Sequence, residues 1–274
     1  MAFPDTFFFS AHKLQAYADC ARRFELQYRE ELQWPAVPQE PLLAYEQHME
    51  NGRLFHEMVE RDLNGIPANA TAYASIEDIA RWWTHYENAR PGDQAGDRFP
   101  ERTLVGTLAG KPLVATYDLI VHQPDGTWAI FDWKTARKRP TRDVLSRRLQ
   151  SRVYPFVLAQ RAGSLIGGGV VDPESIQMTY WFADFPDDPE AFAYNKAQFE
   201  EDQDLLAAYA ARMLADEATF PLTDEARLCG FCQYRSYCGR GAAAAVVAPD
   251  EFEDNDGAFD GFMGDLDDMD AIAF

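Results

Sequence analysis

The chain of 274 residues lacks any long hydrophobic run. No apolar stretch approaches the roughly 20 residues that a membrane-spanning helix needs. The aromatic cluster Phe7-Phe8-Phe9 has neither the basic flank nor the small-residue cleavage site of a signal peptide. The sequence also contains no internal repeat. We therefore expect a globular protein with no membrane partner and a cytoplasmic location.

Positive charge is scarce overall but concentrated in one place. The chain has 25 Lys and Arg against 45 Asp and Glu, a net charge of −20. Such a charge argues against a nucleic-acid partner, because phosphate binding usually relies on a basic surface. The distribution qualifies this inference. Residues 249–274 contain ten acids and no basic residue, whereas residues 134–152 contain eight basic residues and one acid.

Cysteine is also rare, and its spacing is informative. Three of the four cysteines, Cys229, Cys232 and Cys238, lie close enough in sequence to reach one centre, and Cys20 can supply a fourth thiolate. Two disulfides are the alternative, but nothing indicates secretion, and reducing compartments disfavour them. We expect a metal site, either zinc or an iron–sulfur cluster, that joins the N-terminal helix to the C-terminal region.

Helical patterns dominate the first 90 residues, and strand patterns follow them. Apolar periodicity predicts helices over about 10–30, with Ser10 as N-cap, and over about 43–63, 76–89, 142–161 and 191–215. β-branched and aromatic runs predict strands at 113–121, 127–133 and 176–183, in a sheet region that begins near Glu101. This order predicts an α/β fold with a mixed central sheet flanked by helices.

The most informative stretch covers residues 117–134, YDLIVHQPDGTWAIFDWK. The turn signal at 124–126 separates two strand-like runs and predicts a hairpin. Residues two apart share a face of a strand, so Asp132 and Lys134 project together. A register that brings Asp118 opposite them gathers two carboxylates and one ammonium, which is costly unless a cation bridges the carboxylates. The pattern outlines a metal-dependent hydrolysis site; the alternative is a set of charges on an exposed sheet face.

Other polar residues can complete such a site. His56 lies on the apolar stripe of its helix, where it is either a core histidine or a third ligand that favours Mn²⁺. Gln150 and Tyr154 are four residues apart on one helix, with Arg147 on the same side, and all three can bind phosphate or a base. The alternative there is a helix surface with one buried Tyr. Beside a metal site, the basic run predicts a phosphate-contacting rim that includes Arg137, Lys138 and Arg139.

Together these motifs resemble the RecB-like branch of the PD-(D/E)XK nucleases, which includes AddB-type and CRISPR-associated exonucleases with a four-cysteine iron–sulfur cluster. The parts occur in family order over most of residues 10–240, as LQAYADCARRFELQY, GRLFHEMVE, ERTLVGTLAGKPLVATYD, FDWK, QSRVY and CGFCQYRSYC. One departure is visible. Family members commonly have glycine just before the first Asp, in a G-x-D run, whereas this chain has Ala115-Thr116-Tyr117-Asp118.

The resemblance implies a restriction-endonuclease-like core within a nuclease domain over residues 1–240, with a helical part at 10–90, a catalytic core at 100–219 and a cysteine region at 220–240. It implies a Mg²⁺ or Mn²⁺ site whose ligands are His56, Asp118, Asp132 and the backbone carbonyl of Trp133. It also implies that Lys134 orients the attacking water, that Gln150 and Tyr154 contact DNA, and that Glu101 matches an upstream acidic residue of the site. The 4Fe–4S ligands that it implies are Cys20, Cys229, Cys232 and Cys238.

The resemblance implies a metal-dependent deoxyribonuclease, an exonuclease that acts on single strands or DNA ends in repair, recombination or CRISPR adaptation. Two alternatives remain. One is a catalytically silent DNA-binding or scaffold subunit, and the other is an RNA or repair-complex nuclease that needs a helicase or integrase partner.

Residues 241–274 form a predicted linker and disordered acidic tail. The tail alternates acids with apolar residues and ends in Phe274. It resembles the tails of single-stranded-DNA-binding proteins, which implies that it binds a partner or the protein's own basic groove. The alternative is a tail that only aids solubility.

Overall fold

The computed structural model describes residue 3 and residues 6–34, 40–215, 218–230 and 232–241. Its helices are α1 (Ala11–Asp19), α2 (Ala21–Phe24), α3 (Glu40–Leu63), α4 (Ala70–Tyr73), α5 (Glu77–Ala89), α6 (Arg142–Arg147), α7 (Gln150–Arg161) and α8 (Lys196–Met213). Its strands are β1 (Phe9–Ser10), β2 (Asp97–Leu108), β3 (Lys111–His122), β4 (Trp128–Lys134), β5 (Ile176–Phe182) and β6 (Phe185–Ala193). Apart from Gly241, the predicted linker and tail lie outside the described residues.

The six strands form one mixed sheet, as the sequence predicts. Its order is β1-β3-β4-β5-β6, and β2 pairs with β3. The pairs β2–β3, β3–β4 and β5–β6 are antiparallel, whereas β1–β3 and β4–β5 are parallel. A parallel pair needs a long crossover, and here α6 and α7 lie on the crossover from β4 to β5. The fold is thus a mixed α/β sheet flanked by helices.

Strand β4 is buried on both sides of this sheet. Ile130 packs into one hydrophobic cluster together with residues of α1, α7 and α8, whereas Phe131 and Trp133 pack into a second cluster with residues of α3 and α5. Alternate side chains of a strand point to opposite faces, so a strand covered on both faces reads as a continuous apolar run. Asp132 therefore lies in the interior, where a carboxylate needs partners.

The predicted helices at 43–63 and 76–89 are confirmed as α3 and α5, but the predicted helix at 10–30 is not continuous. The Ser10 side chain accepts a hydrogen bond from Lys13 N at 3.2 Å, which confirms the N-cap. Cys20 then adopts an extended backbone with φ −159° and ψ 104°, which separates α1 from α2. A π-helical turn at Glu25–Arg29 follows. None of the described helices is both long enough and apolar enough to cross a bilayer.

Two other helix predictions are wrong in part. The predicted helix at 142–161 is interrupted at Arg148, whose ψ of 138° is extended, and it forms α6 and α7 instead. Residues 191–193, predicted as the start of the last helix, end strand β6. Pairing with β5 stabilises β6 although its prolines and acids are poor strand formers. Helix α8 starts only where the Asn195 side chain accepts from Gln198 N at 2.9 Å.

Candidate active site

The hairpin of β3 and β4 brings its charged residues together. The antiparallel register pairs Leu119 with Phe131, so Asp118 lies opposite Asp132. The ladder between these two strands ends there. Asp118 Oδ2 instead accepts a hydrogen bond from the backbone N of Trp133 at 2.6 Å. The carboxylate of β3 therefore satisfies a backbone donor of β4, which fixes the two strand ends relative to each other.

Three side chains from different elements converge on one side of this hairpin. His56 of α3, Glu101 of β2 and Asp118 of β3 each offer a ligand atom, and these atoms lie within 4.8 Å of one another. His56 Nδ1 is 3.3 Å from Asp118 Oδ1, and these side chains are 31% and 15% exposed. Carboxylates with an imidazole form a donor set for Mn²⁺ or Mg²⁺. We call these three residues the metal half.

Glu101 reaches this group from an unusual backbone conformation. Its φ is 44°, in the left-handed region. For a non-glycine residue this conformation is uncommon and costs about 1–3 kcal/mol, and such strain clusters at functional sites. The β2–β3 register places Glu101 opposite Asp118, between the pairs Pro100–Leu119 and Arg102–Tyr117. The strain therefore lies at the one position of β2 whose carboxylate meets the other two ligand candidates.

A second group of three residues lies next to the metal half. Lys134 Nζ is 2.9 Å from Asp132 Oδ2 and donates to Gln150 Oε1 at 3.0 Å. Gln150 Nε2 donates to Asp132 Oδ1 at 2.7 Å, which closes a ring of contacts. Asp132 is only 3% exposed, and its oxygens lie outside the group of three converging ligand atoms. We call Asp132, Lys134 and Gln150 the lysine half.

Strand β5 and helix α7 support the lysine half from behind. Tyr180 pairs with Asp132 in the parallel ladder, and its ring centroid is 5.6 Å from Lys134 Nζ. Ser151 Oγ donates to Leu145 O at 2.6 Å, so the Tyr180 hydroxyl donates to Ser151 across 2.7 Å. Sequence analysis missed Tyr180 and Ser151. Tyr180 reaches the site through the pairing of β4 with β5, which joins segments more than 40 residues apart, and Ser151 reaches it through Tyr180. Neither contact can be read from the local sequence.

The pKa values distinguish the carboxylates of the two halves. Burial opposes the charge on His56, but the carboxylates of Asp118, Glu101 and Asp132 together outweigh burial and raise the pKa of His56 to about 9. Burial also opposes the charge on Asp118, yet His56 and the Trp133 amide hold the pKa of Asp118 below its usual range. Burial raises the pKa of Asp132 to about 6 in spite of Lys134. A cation that binds the metal half must therefore displace a proton from His56.

The three helical residues predicted to contact DNA differ in their exposure to solvent. The ring of Tyr154 packs 4.9 Å from that of buried Tyr117, and the Tyr154 carbonyl accepts from the Tyr117 hydroxyl at 2.8 Å. Gln150, predicted to contact DNA, has both ends of its amide engaged within the lysine half. Arg147 is 76% exposed and pairs with Asp143 at 2.7 Å. Only Arg147 of these three therefore lies fully at the surface.

The basic run after β4 is partly neutralised by acids of β6. Arg139 is 2.7 Å from Asp188 and 2.8 Å from Glu190, and Arg142 also pairs with Glu190. Lys138 is half-buried, whereas Arg137 is exposed. Within the part of the chain that the structure describes, no hydrogen bond or ion pair holds the Arg137 side chain. The predicted rim thus offers fewer unpaired charges than the sequence suggests.

The four cysteines are free thiols of intermediate burial. Among the described residues, no three of their sulfur atoms lie within 4.8 Å of one another. Burial raises the pKa of Cys232 to about 11. The N- and C-terminal regions that carry the cysteines are nevertheless in contact. Hydrogen bonds join Arg22 N to Pro221 O at 3.1 Å, Tyr234 Oη to Leu32 O at 3.0 Å and Trp34 Nε1 to Ser236 Oγ at 2.9 Å.

Comparisons relate the chain to known proteins. A family model described as PD-(D/E)XK nuclease superfamily matches residues 9–239. No curated protein gives a significant match. The crystal structure of SSO0001 is 12% identical, with 86% of this chain and 88% of that chain covered and a TM-score of 0.42. An Eubacterium rectale protein named "Putative exonuclease" is 13% identical, with 76% and 80% covered and a TM-score of 0.46. The family match includes every residue of both halves and all four cysteines.

Proposed function

Because the chain belongs to the PD-(D/E)XK nuclease superfamily, we propose that it is a metal-dependent deoxyribonuclease, an exonuclease that acts on single strands or DNA ends. One observation carries the proposal. The ligand atoms of His56, Glu101 and Asp118 converge within 4.8 Å, directly beside the buried pair of Asp132 and Lys134. Nucleases of this superfamily use divalent metals, and these donors suit Mg²⁺ or Mn²⁺.

The residues that would hold the ion are His56 and Asp118, with Asp132 and the Trp133 carbonyl beside them. The bound ion supplies charge neutralisation at the scissile phosphate and a more acidic water. Glu101 adds a second carboxylate beside that of Asp118, which would strengthen the binding of a small hard cation. Asp132 Oδ1 accepts from Gln150 at 2.7 Å, whereas Oδ2 is 2.9 Å from Lys134 Nζ but has no hydrogen-bond partner among the described residues, so Oδ2 is the oxygen that would bind a cation.

Lys134 is the proposed group that orients and polarises the attacking water. Its ammonium lies 2.9 Å from the Asp132 carboxylate, 3.0 Å from the Gln150 amide oxygen and 5.6 Å from the centre of the Tyr180 ring. A preorganised charge needs no rearrangement when the reaction begins. We therefore assign Gln150 a positioning role in addition to its proposed DNA contact.

The proposed DNA surface consists of the basic run and α7. Arg137 has the best support, because it is exposed and its charge is unpaired within the described residues. Arg147 is exposed beside Asp143. Lys138, Arg139 and Tyr154 are proposed contacts whose side chains have partners in the protein. Phosphate contacts of this kind position the substrate without reading its sequence.

The test is digestion of end-labelled DNA with added Mg²⁺ or Mn²⁺. The native chain should release labelled products, and Asp132→Ala should not. Asp97→Ala is the matched control, because the Asp97 side chain is 75% exposed at the start of β2. Equal rates for the native chain and Asp132→Ala would refute the proposal. A native chain that binds DNA without cutting it would instead be a non-catalytic subunit, and cutting only with a helicase or integrase would indicate a partner-dependent nuclease.

For the cysteines we propose a 4Fe–4S cluster held by Cys20, Cys229, Cys232 and Cys238. The proposal rests on their spacing and on the contact between the two chain regions that carry them. Zinc at the same four cysteines is the alternative, and among the described residues no three of these sulfurs lie within 4.8 Å of one another. Anaerobic purification tests the assignment: the protein should be brown and contain iron. A colourless protein with zinc and no iron would exclude the cluster.

The acidic tail is proposed to bind either a partner or the basic surface of its own chain. Its ten acids and the absence of basic residues over 249–274 give it the charge for both. Deletion of residues 250–274 should raise DNA affinity at low salt if the tail competes with DNA. Unchanged affinity would refute self-binding. A role in repair, recombination or CRISPR adaptation, and a cytoplasmic location, stay predictions.

A further inference from the structure

One face of helix α3 follows the ends of strands β3 and β4. His48, Gly52 and His56 are spaced by four residues, so they share this face. His56 meets Asp118 at 3.3 Å. A Cβ on Gly52 would lie only 2.9 Å from Thr135 Oγ1, so glycine allows the helix to approach the chain just beyond β4. One turn before Gly52, His48 Nε2 lies 2.9 Å from the carbonyl oxygen of Thr135.

This contact lies just beyond the end of β4, the strand that carries Asp132 and Lys134. Lys134 is the last residue of β4, and the ladder with β3 already ends at Phe131. On the β5 side, the Lys134 carbonyl accepts from Ala183 N at 2.8 Å. The next carbonyl, that of Thr135, is the one that His48 contacts. The backbone carbonyls of Lys134 and Thr135 are thus held by two different elements, the first by the residue after β5 and the second by α3.

The chemistry of the contact fixes the state of the imidazole. A carbonyl oxygen only accepts, so His48 Nε2 carries a hydrogen. Burial, reinforced by Arg137, lowers the pKa of His48 in spite of Asp78 and Asp184, so the ring is neutral near pH 7 and Nδ1 carries no hydrogen. His48 Nδ1 is buried, lies 4.0 Å from Asp78 Oδ2 and has no hydrogen-bond partner within the described structure. A buried bare nitrogen is costly, and an apolar residue of the same size would avoid this cost while filling the space against Trp82.

We propose that His48 is a positioning residue for phosphodiester hydrolysis: its Nε2–H group fixes the peptide after Lys134 and sets the register of α3 against β4. This inference rests on the proposed nuclease function. Through Thr135 the bond acts on Lys134, and through the shared helix face it acts on His56. In this proposal, the one hydrogen bond fixes the distance between the metal half and the lysine half.

Two substitutions separate the hydrogen bond from the volume of the ring. His48→Leu keeps much of the volume and removes the donor, whereas His48→Gln keeps an N–H donor that can reach the same carbonyl. Loss of a group that orients a ligand or catalytic residue costs about 10- to 100-fold in activity or metal affinity. We expect that loss in kcat for His48→Leu with KM for DNA unchanged, and a kcat for His48→Gln within about threefold of native.

Arg61→Leu is the control on the same helix. Arg61 Nε donates to the Pro67 carbonyl at 2.8 Å, so this variant also removes a bond from a side chain of α3 to a backbone carbonyl, but at the end of the helix that lies beyond the site. We expect it to leave kcat near the native value. Equal kcat losses in His48→Leu and His48→Gln, equal losses in the two Leu variants, or a native kcat in His48→Leu would overturn the proposal.

Calorimetric titration with Mn²⁺ keeps the two hypotheses apart. If the native chain cuts no DNA, the proposed function fails, and the positioning role is judged by Mn²⁺ binding alone. His48→Leu should then weaken Mn²⁺ binding by about tenfold, because His56 loses its register, and His48→Gln should not. Equal Mn²⁺ affinities in the native chain and His48→Leu would refute a role for His48 in the spacing of the site.

Discussion

The two halves of the candidate active site hold their charges in different ways. In the metal half, the positive partner of Asp118 is the imidazole of His56, which can lose its proton, and both side chains are open to solvent on one side. In the lysine half, Asp132 is 3% exposed and its oxygens contact an ammonium and an amide. An incoming cation can displace a proton from an imidazole far more easily than it can displace a lysine.

The two halves also differ in their backbone. Glu101 of the metal half has a left-handed φ of 44°, whereas the residues of the lysine half lie within strand β4 and helix α7. Backbone strain is typical of functional positions such as metal ligands, whereas regular secondary structure suits a residue that must hold a charge in a fixed place. This difference supports our proposal that one half binds the cation and that the other half keeps a charge in place for the attacking water.

The largest expected effect is in the metal half. Asp118→Asn removes the charge that faces His56 and that a cation would bind, so we expect Mn²⁺ binding to be lost and DNA hydrolysis to fall by roughly 1,000-fold or more. Calorimetry and digestion of end-labelled DNA measure both quantities. Asp97→Asn, at an exposed position, is the control. If Asp118→Asn bound Mn²⁺ with native affinity, the metal half would not be the cation site.

The next effect separates the two halves directly. Lys134→Met keeps the length of the side chain and removes its charge, so we expect hydrolysis to fall by roughly 10²–10⁴-fold. Mn²⁺ affinity should stay at or above the native value, because the carboxylates lose a competing cation. The same two assays apply. A Lys134→Met variant that binds Mn²⁺ much more weakly than the native chain would place Lys134 in the metal half.

A third effect tests the strain at Glu101. Glu101→Gly and Glu101→Ala both lose the carboxylate and its interactions with His56, but only glycine adopts the left-handed backbone without strain. The free energy of unfolding should therefore be about 1 kcal/mol higher for Glu101→Gly than for Glu101→Ala, and both should bind Mn²⁺ more weakly than the native chain. Ala109→Gly is the control, because Ala109 has a φ of 50° in the turn between β2 and β3 and lies outside the site. It should gain similar stability over the native chain with unchanged Mn²⁺ affinity. Urea unfolding measures these differences, and equal stabilities of the two Glu101 variants would contradict the account.

The smallest effect concerns pH. Burial, with Arg137, lowers the pKa of folded His48, whereas histidine in an unfolded chain has a pKa of about 6.5. As pH falls through that value, the unfolded chain binds more protons, and the native state loses stability. His48→Gln lacks this loss. Between about pH 7.5 and about pH 5.5, the native chain should therefore lose more stability than the variant, by under about 1 kcal/mol. Parallel stability curves would show that His48 does not titrate in this way.

Local patterns predicted the hairpin and the convergence of its charges. The period of two in β4 places Asp132 and Lys134 on one face, and the turn at 124–126 sets the register that brings Asp118 opposite. The mixed sheet also followed from the order of helical and strand patterns. These features depend on neighbours in sequence, so the sequence carries them.

Features that depend on distant pairing were missed. Strand β6 was not predicted, and its last residues, 191–193, were predicted as the start of a helix, because its stabilising partner, β5, is not visible in its own composition. Tyr180 reaches Lys134 only through the parallel ladder of β4 and β5. The neutralisation of Arg139 by Glu190 likewise joins residues 51 positions apart. The left-handed φ of Glu101 has no signal in the sequence, because glycine is the residue that usually marks such a position.

The most direct test of the account is digestion of end-labelled single- and double-stranded DNA by the native chain and by Asp118→Asn, each with Mn²⁺ and with a chelator. The account predicts labelled products only from the native chain and only with the metal present. Digestion by Asp118→Asn at the native rate, or by the native chain in chelator, would contradict a metal-dependent nuclease built on His56, Glu101 and Asp118.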